Sequence, residues 1–227
     1  MTGRILVAML GLGTLTGCGA DAPTPPAALA TASETVVFGS TEALGPHTCT
    51  SIQTRTDRRG GAQVAQREEA TTLRWTSWDD FEFAAEVDAR PQTAVRVSGL
   101  TALVRDGKSD WRPRPDAEPY RAQLRATWNT WDATLEPFEG RVVLTAAGEE
   151  DVAGRGAMVY TVSLGPPLER ARARATTTPT ALSGRVWLDE RTAVRLRADI
   201  TGTLQQRDLE RTLALRLDCA GVPAVAP

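Results

Sequence analysis

The sequence predicts a mainly β domain of the α+β class: one antiparallel sheet of about nine strands covered by one long helix. Three patterns lead there. Phe81, Phe83, Ala85, Val87 and Ala89 alternate with Glu82, Glu86, Asp88 and Arg90. Val194, Leu196, Ala198, Ile200, Gly202 and Leu204 alternate with Arg195, Arg197, Asp199, Thr201 and Thr203. Each run describes a strand with one wet face and one buried face, and sheets of such strands are typically antiparallel meanders. The third pattern is helical: Tyr120, Leu124, Trp128, Trp131 and Leu135 recur at spacings of four, four, three and four. They form one apolar stripe on a helix from Asp116 to Glu136, which supplies the cover that a one-sided sheet needs.

In chain order, Cys49 to Arg58 and Gln63 to Trp78 flank Gly60-Gly61, a hairpin signal. In the second of these segments Trp75 and Trp78 fall on opposite faces of a continuing strand. The strand at Phe81 follows. Thr93 to Arg105 changes face near Gly99, which suggests a bulge inside one strand. Asp116 or Glu118 caps the helix, Pro119 is tolerated in its first turn and Pro137 ends it. Arg141 to Ala147 pairs with Met158 to Leu164. Leu182 to Asp189 then turns tightly at Asp189-Glu190-Arg191 into the long strand at Val194. The last strand places Leu209, Leu213, Leu215, Leu217 and Cys219 on one face.

The start of the chain has a different character. Arg4 is the only charge in the first twenty residues, and an apolar stretch follows it from Ile5 to Leu12. Roughly ten apolar residues suit a signal-peptide core and fall short of the about 20 that span a bilayer. Leu15-Thr16-Gly17-Cys18 then resembles the bacterial lipobox, which implies cleavage before Cys18 and a diacylglyceryl group on it. The segment that follows, to about Ser33, is mostly Ala, Pro, Thr and Gly with one Asp, a composition that cannot bury a core and reads as a tether. The expected organisation is a signal peptide over 1–17, a lipidated cysteine and tether over 18–45, the folded domain over 46–221 and a tail over 222–227. Gly19 lacks the aspartate that retains lipoproteins in the inner membrane of enteric bacteria, so the expected location is the outer membrane, facing the periplasm.

The formal charge of −2 gives no argument for nucleic acid. With Cys18 assigned to lipid, Cys49 and Cys219 remain, and in an oxidising compartment they are expected to pair, two buried free thiols being the alternative. His47 is the only histidine. It leaves no set of nitrogen and sulfur ligands for a metal and no general base beside a Gly-x-Ser-x-Gly turn. Asp79-Asp80 and Glu149-Glu150-Asp151 read as charged turns between strands rather than acid–base pairs. No catalysis and no cofactor are expected.

Two stretches resemble the periplasmic lipoprotein-carrier superfamily, which includes the outer-membrane lipoprotein chaperones and the mycobacterial lipid-carrying lipoproteins. One is Leu103-Val104-Arg105-Asp106-Gly107-Lys108 followed by Trp111, similar to that group's strand–Asp-Gly–aromatic step. The other is Gly184-Arg185-Val186-Trp187-Leu188-Asp189, continuing through Thr192, Val194 and Leu196 to Ala198. The aromatic-Asp-Pro continuation usual after the first motif is replaced by Pro113-Arg114-Pro115. The resemblance implies a curved half-barrel whose concave apolar face holds acyl chains.

On that basis the expected ligand-binding residues are Phe81, Phe83, Trp128, Trp131, Leu135, Leu196, Ile200, Leu213 and Leu215, lining a gap between helix and sheet. Arg170, Arg172 and Arg174 alternate in a segment that reads either as a solvated loop or as a basic lip that touches lipid headgroups or an acidic partner. The expected function is a membrane-anchored, non-enzymatic envelope lipoprotein that binds lipid or the acyl chains of another lipoprotein. The alternatives are a structural or interaction lipoprotein, with a filled core, that docks an envelope protein partner, or a sensor subunit of an envelope complex.

Overall fold

The computed structural model describes residues 38–127, 135–138, 141–166 and 177–221. Cys18 with its surroundings, Trp128, Trp131, and Arg170, Arg172 and Arg174 lie outside the described residues. Eleven strands form one sheet: β1 (His47–Arg59), β2 (Ala62–Ser77), β3 (Asp80–Val87), β4 (Arg90–Ser98), β5 (Thr101–Asp106), β6 (Arg112–Arg114), β7 (Val142–Val152), β8 (Arg155–Leu164), β9 (Thr178–Asp189), β10 (Arg195–Gln206) and β11 (Leu209–Gly221). Their order across the sheet is β6-β5-β4-β3-β2-β1-β11-β10-β9-β8-β7, with every neighbouring pair antiparallel. The sheet is curved and open, since β6 and β7 stand at opposite edges.

The strand count corrects the expected nine. Thr93 to Arg105 is two strands joined by a tight turn, not one bulged strand. Ser98 pairs with Thr101, and Gly99 takes a φ of 57° there, a left-handed conformation that costs a glycine nothing. Gly99 N–H also donates to the Asp79 carbonyl at 2.8 Å, tying this turn to the β2–β3 turn. The eleventh strand is β6, three exposed residues at the edge with no apolar signature.

The helix α1 (Glu118–Thr127) starts where the carboxylate of Asp116 accepts the Glu118 N–H at 2.9 Å. Leu135 is helical and leads into a short 3-10 turn, Glu136–Phe138.

One face of the sheet carries the core, in two clusters that meet where Cys49 lies opposite Leu73. The larger gathers β7 to β11 under Leu135 and Phe138 and includes Leu196, Ala198, Ile200 and Leu215, each at most 1% exposed. The smaller gathers Leu73, Phe81, Val95, Val97, Ala102 and Val104 under Leu124 of α1 and Ala117 just before it. Trp75 and Trp78 both pack against this second cluster, edge to face at 6.4 Å. The expectation that they point to opposite faces is corrected: the register slips between Trp75 and Ser77, so Trp78 sits in the turn and folds back.

Cys49 and Cys219 are joined by a disulfide across the β1–β11 pair, their Cα atoms 4.0 Å apart. Just before them the chain is pinned to the end of the sheet that carries the β9–β10 turn. Gly39 N–H donates to the Ala193 carbonyl at 2.9 Å, and Arg155 donates to the Leu44 carbonyl at 2.8 Å. Residue 38 and the end of β11 thus lie at one end of the sheet. The β1–β2 and β10–β11 hairpins lie at the other.

Candidate functional site

The helix-bearing face is the candidate site, and its residues fall into three zones. Under α1, Phe81, Phe83, Thr93, Val95, Tyr120 and Leu124 line a cleft of about 20 Å³. That space admits little more than one water-sized sphere. The cleft exists because α1 is held from one side. Arg121, 7% exposed, reaches beneath the helix and donates to the carbonyls of Trp78 at 2.7 Å and Gly99 at 2.5 Å, and to the Asp79 carboxylate at 2.7 Å. It fixes the first turns of α1 to two strand turns at once.

The second zone is the larger cluster. Phe138 lies over Gly202 so tightly that a Cβ at that position would collide with its ring. The small residue therefore belongs to the packing and leaves no vacancy.

The third zone lies beside the place where the other two meet. Below Cys49 and Leu73, toward the β1–β2 hairpin, the inward positions of the two middle strands turn polar. Ser51 faces Thr71, Gln53 faces Glu69 and Arg55 faces Arg67. Asp57, on the same face, faces Arg211 of β11. Arg55 and Arg211 each grip the Asp57 carboxylate through two hydrogen bonds of 2.7–3.2 Å. Hydrogen bonds from Arg211 and then from Arg55 hold that carboxyl far below the ordinary carboxylate range.

The expected ligand-binding residues divide accordingly. Leu135, Leu196, Ile200 and Leu215 come together in the larger cluster, with Leu213 partly buried against it. Phe81 and Phe83 belong to the α1 cluster. Phe83 on β3 and Ile200 on β10 are four strand spacings apart, about 19 Å. β8 ends and β9 begins at the end of the sheet opposite residue 38, and Arg170, Arg172 and Arg174, between them in the sequence, lie outside the described residues. Sequence reasoning missed Arg121, Asp57 and Arg211. Arg121 had one signal, as the position following Tyr120 on the stripe's flank in the helix's first turns.

His47 is also buried, 1% exposed. Its ring stacks on Trp75 at 5.4 Å and its Nδ1–H donates to the Gly45 carbonyl at 2.7 Å. Among the described residues no group of three or more His, Cys, Asp or Glu side chains could hold a metal ion, and no helix is long and apolar enough to cross a membrane.

The sequence matches no family model and no curated protein. Solved structures to which the chain is similar include the lipoprotein LppX of Mycobacterium tuberculosis, at 13% identity over 78% of this chain and 94% of that one, with a TM-score of 0.28. A LolA superfamily protein from Nitrosomonas europaea matches at 8% identity over 79% and 87%, with a TM-score of 0.23. A DUF1329 family protein from Desulfovibrio piger matches at 14% over 80% and 88%, with a TM-score of 0.24. At such TM-scores these matches are a likeness of architecture, and nothing about binding is drawn from them.

Proposed function

We propose that this chain is a lipid-anchored protein of the cell envelope that binds lipid, or an acyl chain of a lipoprotein, on the helix-bearing face without catalysis. The observation that supports this reading is the cleft beneath α1, walled by Phe81, Phe83 and Tyr120. Ligand sites of drug size run to roughly 300–1,000 Å³, so an acyl chain needs more room than the cleft holds at rest. Arg121 fixes the first turns of α1, and the helix would open by swinging its C-terminal end away from Phe83 and Thr93. The anchor is Cys18, the tether runs from it to about residue 38, where the chain is pinned to the sheet, and the outer membrane is the proposed site.

A second reading has its own support. The larger cluster packs Phe138 directly onto Gly202, as in an interaction module that docks an envelope partner.

Native mass spectrometry of the gently purified protein separates the two. Bound lipid is expected in the parent and absent in Thr93→Trp, which blocks the cleft at a half-buried position, with both proteins melting alike. Absence of lipid from the parent would refute the carrier reading and favour the interaction module. The anchor has a separate test: Cys18→Ser should release the protein from the membrane fraction and abolish labelling by a fatty-acid probe.

A further inference from the structure

The polar zone on β1 and β2 is unusual for its position. It lies on the face that buries the core, beside the place where two apolar clusters meet, and it is rich in arginine. Arg55, Arg67 and Arg211 share it with two carboxylates, Asp57 and Glu69. One positive charge is left over. Arg55 and Arg67 are direct cross-strand partners, an arrangement in which like charges repel.

The zone is organised. Asp57, with a side chain 9% exposed, takes a two-point grip from each of two arginines and so fixes the direction of both guanidinium groups. A guanidinium has five N–H donors, and Asp57 engages only two of those on Arg55. Arg67 contacts Glu69 at a long 3.5 Å. The Arg55 and Arg67 side chains remain 49% and 61% exposed. On the other side of β1, Arg55 faces Leu213, an apolar residue only partly covered by the larger cluster.

A cationic pair set beside an incompletely covered apolar residue, on one continuous face, matches a molecule with an anionic head and an apolar tail. We infer that Arg55 and Arg67 bind the phosphate or carboxylate head of an anionic amphiphile, whose chain lies over Leu213. Arg67 is the freer donor, and Asp57 is a positioning residue that aims Arg55. The inference rests on the lipid-binding reading of the helix-bearing face and adds to it a subsite on β1, β2 and β11, apart from the cleft under α1.

The test uses the full chain carrying Cys18→Ser, without detergent, titrated with four probes below their micelle concentrations: dodecyl phosphate, dodecanoate, an uncharged dodecyl ether and inorganic phosphate. Dodecyl phosphate and dodecanoate should bind at least about tenfold more tightly than the uncharged ether, the usual worth of one charge-assisted hydrogen bond. Inorganic phosphate should bind far more weakly than dodecyl phosphate. Arg67→Gln, at an exposed position, should erase the preference for the anionic heads with the melting temperature unchanged. Arg55→Gln should do the same, and Asp57→Asn should weaken it. Equal binding of charged and uncharged chains, or an Arg67→Gln protein that keeps the preference, would overturn the head-group assignment and leave the lipid-binding reading intact. Inorganic phosphate binding as tightly as dodecyl phosphate would mark a small-anion site and also overturn it. If no dodecyl compound binds, the lipid-binding reading fails with it.

Discussion

Arg121 on α1 and Trp78 in the β2–β3 turn are joined by a 2.7 Å hydrogen bond from the guanidinium Nε to the main-chain carbonyl. The same side chain reaches the Gly99 carbonyl in the neighbouring β4–β5 turn. One arginine therefore holds a helix and two turns together.

Removing it should be felt more than an exposed ion pair suggests. Asp79 is 75% exposed and can return to water, but the two carbonyls lose charged donors, each worth roughly 1.5–3 kcal/mol. Arg121→Ala should lower the unfolding free energy by about 3 kcal/mol in a urea titration. Arg121→Lys should recover only part of that, because an ammonium cannot fork to carbonyls on two separate turns. A loss below about 0.5 kcal/mol, the usual range of neutral surface changes, would show that the clamp is incidental.

The disulfide closes a loop with a sequence separation of 170 residues. In the chain-entropy model a bridge of that span stabilises the fold by about 5 kcal/mol. Urea unfolding in the presence of a phosphine reductant should move to a much lower midpoint. Cys49→Ala with Cys219→Ala should reproduce the reduced protein. Similar midpoints with and without reductant would mean that the hydrogen bonds of the β1–β11 pair hold that seam unaided.

Burial pushes the His47 pKa below its ordinary value, and the nearby Arg155 charge lowers it further, against the raising effect of the Gly45 carbonyl. With Nδ1–H committed to Gly45, the buried Nε2 has no partner to accept a proton's hydrogen bond. The unfolded chain binds that proton more readily than the folded one. The stability from neutral His47 is therefore complete above the unfolded pKa of about 6.5 and is lost as pH falls toward the lower folded value. Urea midpoints should drop between pH 7.5 and pH 5, and His47→Phe should flatten that part of the slope. A parallel slope in both proteins would assign it to the carboxylates.

Phe138 and Gly202 form a matched pair. Gly202→Ala pushes a methyl group into the Phe138 ring and should cost about 1–3 kcal/mol by overpacking. Phe138→Ala should cost about 3–5 kcal/mol by leaving a cavity. Combined with Gly202→Ala, Phe138→Leu should cost less than the sum of the two single changes, because the smaller side chain makes room for the methyl. Strict additivity would mean that the ring relaxes elsewhere.

Much of the sheet is legible in the sequence, because alternation is sharp wherever one face is dry. Leu196, Ala198 and Ile200 are 0–1% exposed, while Asp199 and Thr201 between and after them face solvent. The β4–β5 turn was misread for a geometric reason. Val95 and Val97 are buried at odd positions, Ala102 and Val104 at even ones, and a bulge shifts the parity of a pattern just as this two-residue turn does. β6 is Arg-Pro-Arg and buries nothing.

The site was less legible. Alternation says which face a residue occupies but not which strands are neighbours, so Phe83 and Ile200 could be placed on one face yet not 19 Å apart, about four strand spacings. The inward arginines were invisible because Arg55, Arg67 and Arg211 read as ordinary surface charge.

The strand order bears on how the chain acquires its shape. β1 and β11 form the middle of the sheet, yet they are the first and last strands to be made. The α1 cluster draws only on residues between Leu73 and Leu124 and can condense from nearby segments, whereas the central seam is the most nonlocal pairing in the molecule and its closure is slow. A ribosome or a pore that delivers this chain from its N-terminus holds β1 without one of its two partners until β11 emerges. The order of the strands by itself leaves this central seam open until almost the whole chain has been delivered.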